Sequence, residues 1–196
     1  MKYLVNKISN KQLLSDIDIE TITIRKITYN DLPALEWGGK YTHFRRIYAN
    51  AFQNQQKGNA VLWAVEFNNT GIIGQAFVQL IGSRPELADG RIRAYIYSVR
   101  IQSFYQNMGI GTKLMKHAEY DISQRGLLYA TLNVGKQNLK ARRFYERLGY
   151  QVISDEPGRW SYLDHFGQRQ YVHEPAWRMQ KRLRCVSRTG DGTRST

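Results

Sequence analysis

Two glycines, Gly109 and Gly111, stand where a strand-like run meets a helical pattern, and this junction constrains the 196-residue chain more than any other feature. The run from Tyr97 to Ile101 is rich in β-branched and aromatic residues. Apolar residues then recur at helical spacing, at Leu114, Met115, Ala118 and Ile122. A glycine turn that opens a helix can bind a phosphate, because glycines let a ligand approach the backbone and the first helical N–H groups have no partner. A tight turn without a ligand is the alternative.

The spacing of this turn narrows the kind of anion site that it could form. It reads Gln106-x-x-Gly109-x-Gly111, with no Lys-Thr or Lys-Ser pair after it, so it is not a loop of the Walker A type. Nor is it the dinucleotide-binding fingerprint, which needs three glycines and an acidic residue about 20 residues further on.

A second motif runs from Asn138 to Tyr150 and predicts a helix that ends at Gly149. Within it Asn138, Ala141 and Tyr145 fall on one helical face. That face combines an amide, a small residue and a phenol, which a pure packing face rarely needs. A core helix with an asparagine cap and a packed tyrosine is the alternative.

Together the two motifs resemble those of the GNAT family, the Gcn5-related N-acetyltransferases. Gln-x-x-Gly-x-Gly after a strand is similar to the family's coenzyme A pyrophosphate loop. Asn-x-x-Ala-x-x-Phe-Tyr-x-x-Leu-Gly-Tyr, which starts at Asn138, is similar to the signature that follows its fifth strand. The motifs occur in the family's order, and the resemblance extends over Ile22 to Leu183.

The resemblance implies an α/β fold of the GNAT type: a central mixed, mostly antiparallel sheet, splayed between its fourth and fifth strands, with helices on both faces. The implied domains are an N-terminal extension over 1–20, an acetyltransferase domain over 21–183, and a disordered tail over 184–196. The periodicities predict strands and helices in keeping with this order. The strands are expected over 22–27, 61–67, 72–81, 91–101, 128–134 and 150–153, with a bulge at Gly74 and late strands or a hairpin over 160–183. The helices are expected near Pro33, over 41–56, after Gly111 and over 138–148, with one further turn at Leu13, Leu14 and Ile17.

Acetyl-coenzyme A is the cosubstrate that the resemblance implies. The backbone of Val99 and Ile101 would pair with the pantetheine arm, and Asn138 would contact it. Tyr145 would face the thioester sulfur as the catalytic residue. The pyrophosphate would be held by the N–H groups of Gln106, Asn107, Met108, Gly109, Ile110, Gly111 and Thr112.

Attack of an amine on a thioester needs a neutral amine, a polarised carbonyl and a stabilised thiolate. Protonation of a thiolate of pKa ~8.5 by a phenol of pKa ~10 is uphill by about 2 kcal/mol. Tyr145 therefore has a lowered pKa or acts mainly as a hydrogen-bond donor.

The strand before the loop offers tyrosines and arginines but no carboxylate that could serve as a general base. Candidates elsewhere are Glu36, His43, Glu66, Asp164, His165 and Glu174. A water relay or an amine of low pKa is equally compatible, so no base is assigned.

The acceptor should be bound by the first two helices and the late strands, which lie beside the acyl end in this fold. Those segments contain Glu36, Trp37, Tyr41, His43, Trp160, Tyr162, Asp164 and His165. The predicted function is transfer of an acetyl group to a primary amine, either a small molecule or a protein N-terminus or lysine. A non-catalytic acyl-coenzyme A-binding module, acting as a sensor or partner protein, is the alternative.

The formal net charge of +13 attracts polyanions such as nucleic acid, acidic proteins or a phosphorylated cofactor. No zinc finger, RNP motif or long basic run appears, so a nucleic-acid partner is not expected, and binding of nucleic acid through the basic surface stays a third, rival hypothesis. One cysteine, Cys185, and four scattered histidines predict neither a disulfide framework nor a metal centre. No apolar run approaches the ~20 residues of a membrane span, which predicts a cytoplasmic protein with no membrane partner. Whether it forms a homodimer is left open.

Overall fold

The computed structural model describes residues 21–67 and 71–184. The predicted turn at Leu13, Leu14 and Ile17 and the single cysteine lie outside the described residues. The strands are β1 (Ile22–Lys26), β2 (Ala60–Phe67), β3 (Ile72–Gln79), β4 (Arg93–Ile101), β5 (Tyr129–Gly135), β6 (Gln151–Glu156), β7 (Arg159–Leu163), β8 (Arg169–His173) and β9 (Ala176–Arg182). The α-helices are α1 (Arg45–Gln56), α2 (Ile110–Gln124) and α3 (Leu139–Arg147), and 3₁₀ helices span Tyr29–Glu36, Thr42–Phe44 and Ser103–Tyr105.

Seven strands form one sheet in the order β1-β2-β3-β4-β5-β9-β6, and β7 and β8 form a separate hairpin. Every neighbouring pair in the large sheet is antiparallel except β4 and β5, which run parallel. Those two strands pair only from Arg93–Tyr129 to Tyr95–Thr131, although β4 continues to Ile101 and β5 to Gly135. The predicted fold class, with a sheet splayed between its fourth and fifth strands, is confirmed.

Helices cover both faces of the sheet because the central strands are apolar on both sides. On one face α2 and α3 enclose a core to which α2 contributes the predicted apolar residues Leu114, Met115, Ala118 and Ile122. On the other face α1 and the 3₁₀ helix at Tyr29–Glu36 enclose a second core around Tyr48, Leu62 and Phe77. The sheet is therefore the middle layer of three.

Several predicted boundaries were wrong, each for a local reason. The helix expected over 41–56 is a 3₁₀ turn followed by α1, since Phe44 N–H bonds the Tyr41 carbonyl three residues back at 2.9 Å. The strand expected from residue 91 begins at Arg93, because the Asp89 carboxylate accepts the N–H groups of residues 91–93 at 2.8–3.0 Å. The strand expected over 72–81 ends at Gln79. The strand expected over 150–153 continues to Glu156 by pairing with β9.

The bulge predicted at Gly74 is confirmed. Val65 lies opposite Gly74 while the next residue of β2 lies opposite Ile72, so β3 carries one extra residue there. A Cβ on Gly74 would collide with the side chain of Ile101, which explains why glycine occupies this position.

Glu156 holds the end of β6 to the rest of the protein through two arginines. Its side chain is only 8% exposed and accepts two hydrogen bonds from Arg84 Nη2, at 2.8 and 2.9 Å, and one from Arg178 Nη2 at 2.7 Å. Burial alone would raise the pKa of Glu156, but the hydrogen bonds from Arg84 and Arg178 outweigh burial and hold the pKa below its usual value.

Removing the Glu156 charge should therefore destabilise the fold. We expect Glu156→Gln to lower the free energy of unfolding by about 2–4 kcal/mol, because two arginines lose their buried acceptor while Arg84 stays partly hydrated. Glu146→Gln, which removes an exposed helical pair with Arg142, should cost less than about 0.5 kcal/mol.

Urea unfolding at several pH values checks this pair of variants. A group with a lowered pKa stabilises the folded state above its unfolded pKa and loses that contribution as pH falls through its folded pKa. The difference in the free energy of unfolding between wild type and Glu156→Gln should therefore shrink at acid pH. If Glu156→Gln and Glu146→Gln lose the same free energy of unfolding at neutral pH, Glu156 does not hold β6 to the rest of the protein.

Candidate active site

The loop from β4 to α2 presents unpaired N–H groups. Gly109, with φ of 80°, caps α2, and the first helical bond runs from Lys113 N–H to the Gly109 carbonyl at 3.0 Å. The N–H groups of Ile110, Gly111 and Thr112 precede that bond and have no intrahelical acceptor. They lie at the positive end of the helix dipole, which favours an anion.

Gln106, predicted as part of the pyrophosphate site, anchors the loop through its side chain. Its Nε2 donates to the Ile101 carbonyl at 2.9 Å, which fastens the loop to the last residue of β4. Its own N–H points at the Ser103 carbonyl over 3.4 Å, a long bond. Asn107 then adopts a φ of 65°, in the left-handed region, and turns the chain toward Gly109.

Gly111 brings the two sequence motifs together. A Cβ at this position would lie 3.4 Å from Phe144 Cζ, at ordinary contact distance, so the first turn of α2 lies directly against the Phe144 ring of α3. The motif that contains Tyr145 therefore packs beside the first turn of α2.

A β-bulge in β4, which the sequence analysis missed, decides which side chains face the site. Phe77 lies opposite Tyr97 and Gln75 lies opposite Arg100, so β4 carries an extra residue at Ser98, whose φ is 52°. As a result the side chain of Val99 packs in the core under α2, whereas that of Arg100 points to the opposite face.

The splay leaves the facing edges of β4 and β5 unpaired with each other beyond the third residue pair. Along β4 these edge residues include Val99 and Ile101, the two positions predicted to pair with the pantetheine arm. Unpaired backbone donors and acceptors in a cleft need a partner, and an extended amide chain can supply one.

Asn138 is the N-cap of α3. Its Oδ1 accepts the Ala141 N–H at 3.0 Å, so the alternative considered for this residue, a cap, is present in the structure. The cap uses the amide oxygen and leaves Nδ2 as a hydrogen-bond donor. Cap and ligand contact are therefore compatible in one side chain.

Tyr145 is a residue of α3 that packs into the core of the protein and is 9% exposed. Its ring contacts Phe144 at 5.2 Å and Tyr150 at 5.9 Å between centroids. Burial, with a smaller contribution from the Tyr95 phenol, raises the pKa of Tyr145 to about 12. Of the two alternatives for its chemistry, a raised pKa favours a hydrogen-bond donor that keeps its proton.

The residues predicted to bind the acceptor come together where the β7–β8 hairpin meets the 3₁₀ helix at Thr42–Phe44. The Tyr162 ring lies 5.2 Å from Phe44, 6.4 Å from His43 and 5.4 Å from Trp160. Trp37 packs edge-on against Tyr41 at 5.4 Å.

Arg100 is a member of this aromatic cluster that the sequence did not suggest. Its guanidinium lies 4.2 Å from the centroid of the Tyr41 ring, and its Nη1 donates to Tyr48 Oη at 2.8 Å. Arg100 reaches this face only because of the bulge at Ser98, and no local sequence signal predicts that bulge.

Three of the six candidate bases are occupied in other roles. Glu36 accepts from Arg45 Nε at 2.6 Å, which lowers the pKa of Glu36, and Glu66 accepts from Arg25 Nε at 2.8 Å. Burial tends to raise the pKa of Asp164, but hydrogen bonds from the β7–β8 turn outweigh it, so the pKa is lowered. Their lowered pKa values make Glu36 and Asp164 poor proton acceptors at neutral pH.

The other three candidates are His43, His165 and Glu174. The His43 ring packs against Phe44 with 4.1 Å between ring centroids and the planes tilted by 51°, and His165 lies close enough to Glu36 to help lower the pKa of Glu36. Glu174 lies over the backbone of Gly135 at the end of β5. Among residues 21–67 and 71–184, no cluster of three or more His, Cys, Asp or Glu side chains could hold a metal. Within the same residues, no helix has the length and apolar character to span a membrane.

Comparison with known families matches residues 27–150 to the model of the acetyltransferase (GNAT) family. Among curated proteins, the 5-NmdU N-acetyltransferase of Pseudomonas phage PaMx11 is 38% identical over 63 residues, which cover 32% of this chain and 43% of that protein. The mycothiol acetyltransferase of Corynebacterium diphtheriae is 31% identical over 97 residues, covering 47% and 29% respectively. The chain thus matches less than half the length of either relative.

Solved structures share the fold at low sequence identity. The ribosomal-protein-S18-alanine N-acetyltransferase from Escherichia coli superposes with a TM-score of 0.63 at 19% identity, over 86% of this chain and 97% of that one. Arabidopsis thaliana NAA60 in complex with acetyl-CoA gives a TM-score of 0.59 at 22% identity, over 83% and 98%.

The double role of Asn138 can be tested by two substitutions. Asn138→Ala should lose about 1 kcal/mol of folding stability because the cap is removed. Asn138→Asp should keep the cap and its stability but lower the affinity for acetyl-coenzyme A up to about tenfold, because the Nδ2 donor is lost. Thermal melting and calorimetric titration measure the two effects separately. If Asn138→Asp binds acetyl-coenzyme A as tightly as wild type does, Asn138 acts only as the cap of α3.

Proposed function

The chain belongs to the acetyltransferase (GNAT) family, and on this basis we propose that it transfers an acetyl group from acetyl-coenzyme A to a primary amine. The cosubstrate supplies an acetyl thioester, at whose carbonyl carbon a C–N bond forms while the C–S bond breaks. The observation that carries the proposal is the splay between β4 and β5, which opens beside the free N–H groups of α2.

The residues present fit coenzyme A on both of its polar parts. A diphosphate would accept hydrogen bonds from the loop that begins at Gln106 and ends at Thr112, where Gly109 leaves the backbone accessible. The amides of the pantetheine arm would pair with the edge of β4 that faces β5, at Val99 and at the N–H of Ile101, whose carbonyl already accepts Gln106 Nε2. Asn138 Nδ2 would donate to the same arm.

Tyr145 would stabilise the leaving thiolate through its hydroxyl. A phenol with a pKa of about 12 keeps its proton at neutral pH, so it donates a hydrogen bond to a developing negative charge without transferring the proton. Backbone N–H groups near Ile101 would polarise the carbonyl, and the remaining rate enhancement would come from holding two reactants in contact.

No carboxylate of the acceptor region is free to take the amine proton, since Glu36 and Asp164 are engaged elsewhere. We therefore propose that the acceptor binds as the neutral amine or loses its proton through water. It would enter between the 3₁₀ helix at Thr42–Phe44 and the β7–β8 hairpin. The catalytic domain would span 21–183.

The role of the loop glycine can be tested against a matched glycine at the other end of α2. Gly109 and Gly126 both have φ near 80°, and a Cβ on Gly126 meets no atom within 4 Å. Gly109→Ala and Gly126→Ala should each cost about 1 kcal/mol of stability through backbone strain. Only Gly109→Ala should weaken acetyl-coenzyme A binding, by at least tenfold in calorimetric titration. Equal affinities in the two variants would place the cofactor elsewhere.

The proposed activity is tested by release of free coenzyme A in a screen of amino acids, polyamines, aminoglycosides, nucleosides with aminoalkyl groups and peptide N-termini. With an active amine, Tyr145→Phe should lower kcat about 100-fold while the acetyl-coenzyme A Kd stays within about twofold. Tyr150→Phe, the neighbouring buried phenol, is the control and should keep most of the activity.

The pH dependence separates the two roles considered for Tyr145. A donor that keeps its proton titrates only above pH ~10, so Tyr145→Phe should lower the rate by the same factor from pH 6 to 9. A fall in the wild-type rate as pH rises toward 9 that disappears in Tyr145→Phe would mean that the phenol transfers its proton. Acetyl-coenzyme A binding with no turnover on any amine would instead favour the non-catalytic module.

A further inference from the structure

The β7–β8 hairpin stands apart from the seven-stranded sheet and has two distinct faces. Its five residue pairs run from Arg159–His173 to Leu163–Arg169, and directly opposite residues share a face. One face, here called the inner face, consists of Trp160, Tyr162, Gln170 and Val172. The other, the outer face, consists of Arg159, Ser161, Leu163, Arg169, Tyr171 and His173.

The inner face contacts the rest of the protein through Tyr162, which packs on Phe44. Gln170 Nε2 donates within the hairpin, to Asp164 Oδ2 of the turn at 2.8 Å, and Trp160 is 44% exposed. The hairpin is therefore fixed on the body through one side, and its outer face is left for other uses.

All six residues of the outer face are exposed, and Tyr171 is 81% exposed. The face carries two arginines and a histidine but no carboxylate. Within the part of the chain that the structure describes, neither Arg159 nor Arg169 forms an ion pair. Arg169 Nη1 donates to Ser161 Oγ at 3.0 Å, which holds that guanidinium along the face. A shallow groove at the open end of the hairpin is lined by Arg159, Ser161, Tyr171 and His173 together with Trp160 and Val172.

We propose that the outer face of this hairpin binds a single strand of nucleic acid, with Arg159 and Arg169 on phosphates and a base stacked on Tyr171. A single strand of nucleic acid needs positive charges that contact its phosphates and a flat ring on which a base can stack. Arginines spaced around an exposed tyrosine provide both. The net charge of +13 supplies the long-range attraction.

An apolar partner suits this face less well. Its exposed rings and aliphatic groups are separated by arginines and a serine, whereas protein and membrane contacts use continuous apolar patches. The expectation that no nucleic acid binds came from the lack of a basic run. Here the cations come from two strands and meet only through the hairpin pairing, so the linear sequence does not display them together.

Fluorescence anisotropy of a labelled oligothymidylate of about 16 nucleotides tests the proposal without acetyl-coenzyme A, so the result does not depend on acetyl transfer. Tyr171→Ala should weaken binding roughly tenfold. Arg159→Ala and Arg169→Ala should each reduce the magnitude of the salt slope by about 0.7, the value for one phosphate of a single strand. Matched controls on other surfaces are Tyr120→Ala for the exposed ring and Lys57→Ala for the charge, and both should bind as wild type does.

Two comparisons make the outcome decisive. Circular dichroism confirms that each variant is folded, and dextran sulfate serves as a polyanion without bases. Loss of oligothymidylate binding in Tyr171→Ala with unchanged dextran sulfate binding supports the proposal. It is overturned if wild type fails to bind at low salt, if Tyr120→Ala weakens binding as much as Tyr171→Ala, or if duplex DNA binds equally well and without dependence on Tyr171.

Discussion

Backbone pairing between β4 and β5 stops after three residue pairs, and the proposed chemistry depends on that interruption. Neighbouring strands of a sheet normally satisfy each other's backbone groups, so an open wedge between two of them is stable only if other groups, or a ligand, take over. The wedge persists because each strand is secured on its other side, β4 by β3 and β5 by β9. The extra residue at Ser98 and the hydrogen bond from Gln106 to Ile101 then set how β4 enters the loop.

Burial gives the phenol of Tyr145 its proposed role. A phenol with a raised pKa cannot readily lose its proton, yet it donates a strong hydrogen bond when a charge develops beside it. The same helix begins at Asn138, whose cap fixes the first turn and thereby the direction of the following residues. Gly111 lies against Phe144 of α3, so contact between the two helices holds the proposed anion site beside the phenol.

The sequence predicted those parts of the structure that local rules govern. The glycine turn, the apolar face of α2 and the splay between the fourth and fifth strands follow from spacing and from resemblance, and the cap at Asn138 was the alternative considered for that residue. The bulge at Ser98 and the position of Arg100 depend on partners distant in the chain. Glu36 and Asp164 are engaged by residues no more than nine positions away, but only through turns whose shape the residue types do not reveal. An unpaired acidic residue and an ion-paired one look alike in a sequence, and so the base candidates could be sorted only by their contacts.

A crystal structure of the protein with bound coenzyme A tests the arrangement most directly. We expect the diphosphate within hydrogen-bond distance of the N–H groups of Ile110 to Thr112, the pantetheine arm between β4 and β5, and the sulfur next to the Tyr145 hydroxyl. A cofactor bound outside the splay, or a sulfur on the far side of the sheet from Tyr145, would contradict it.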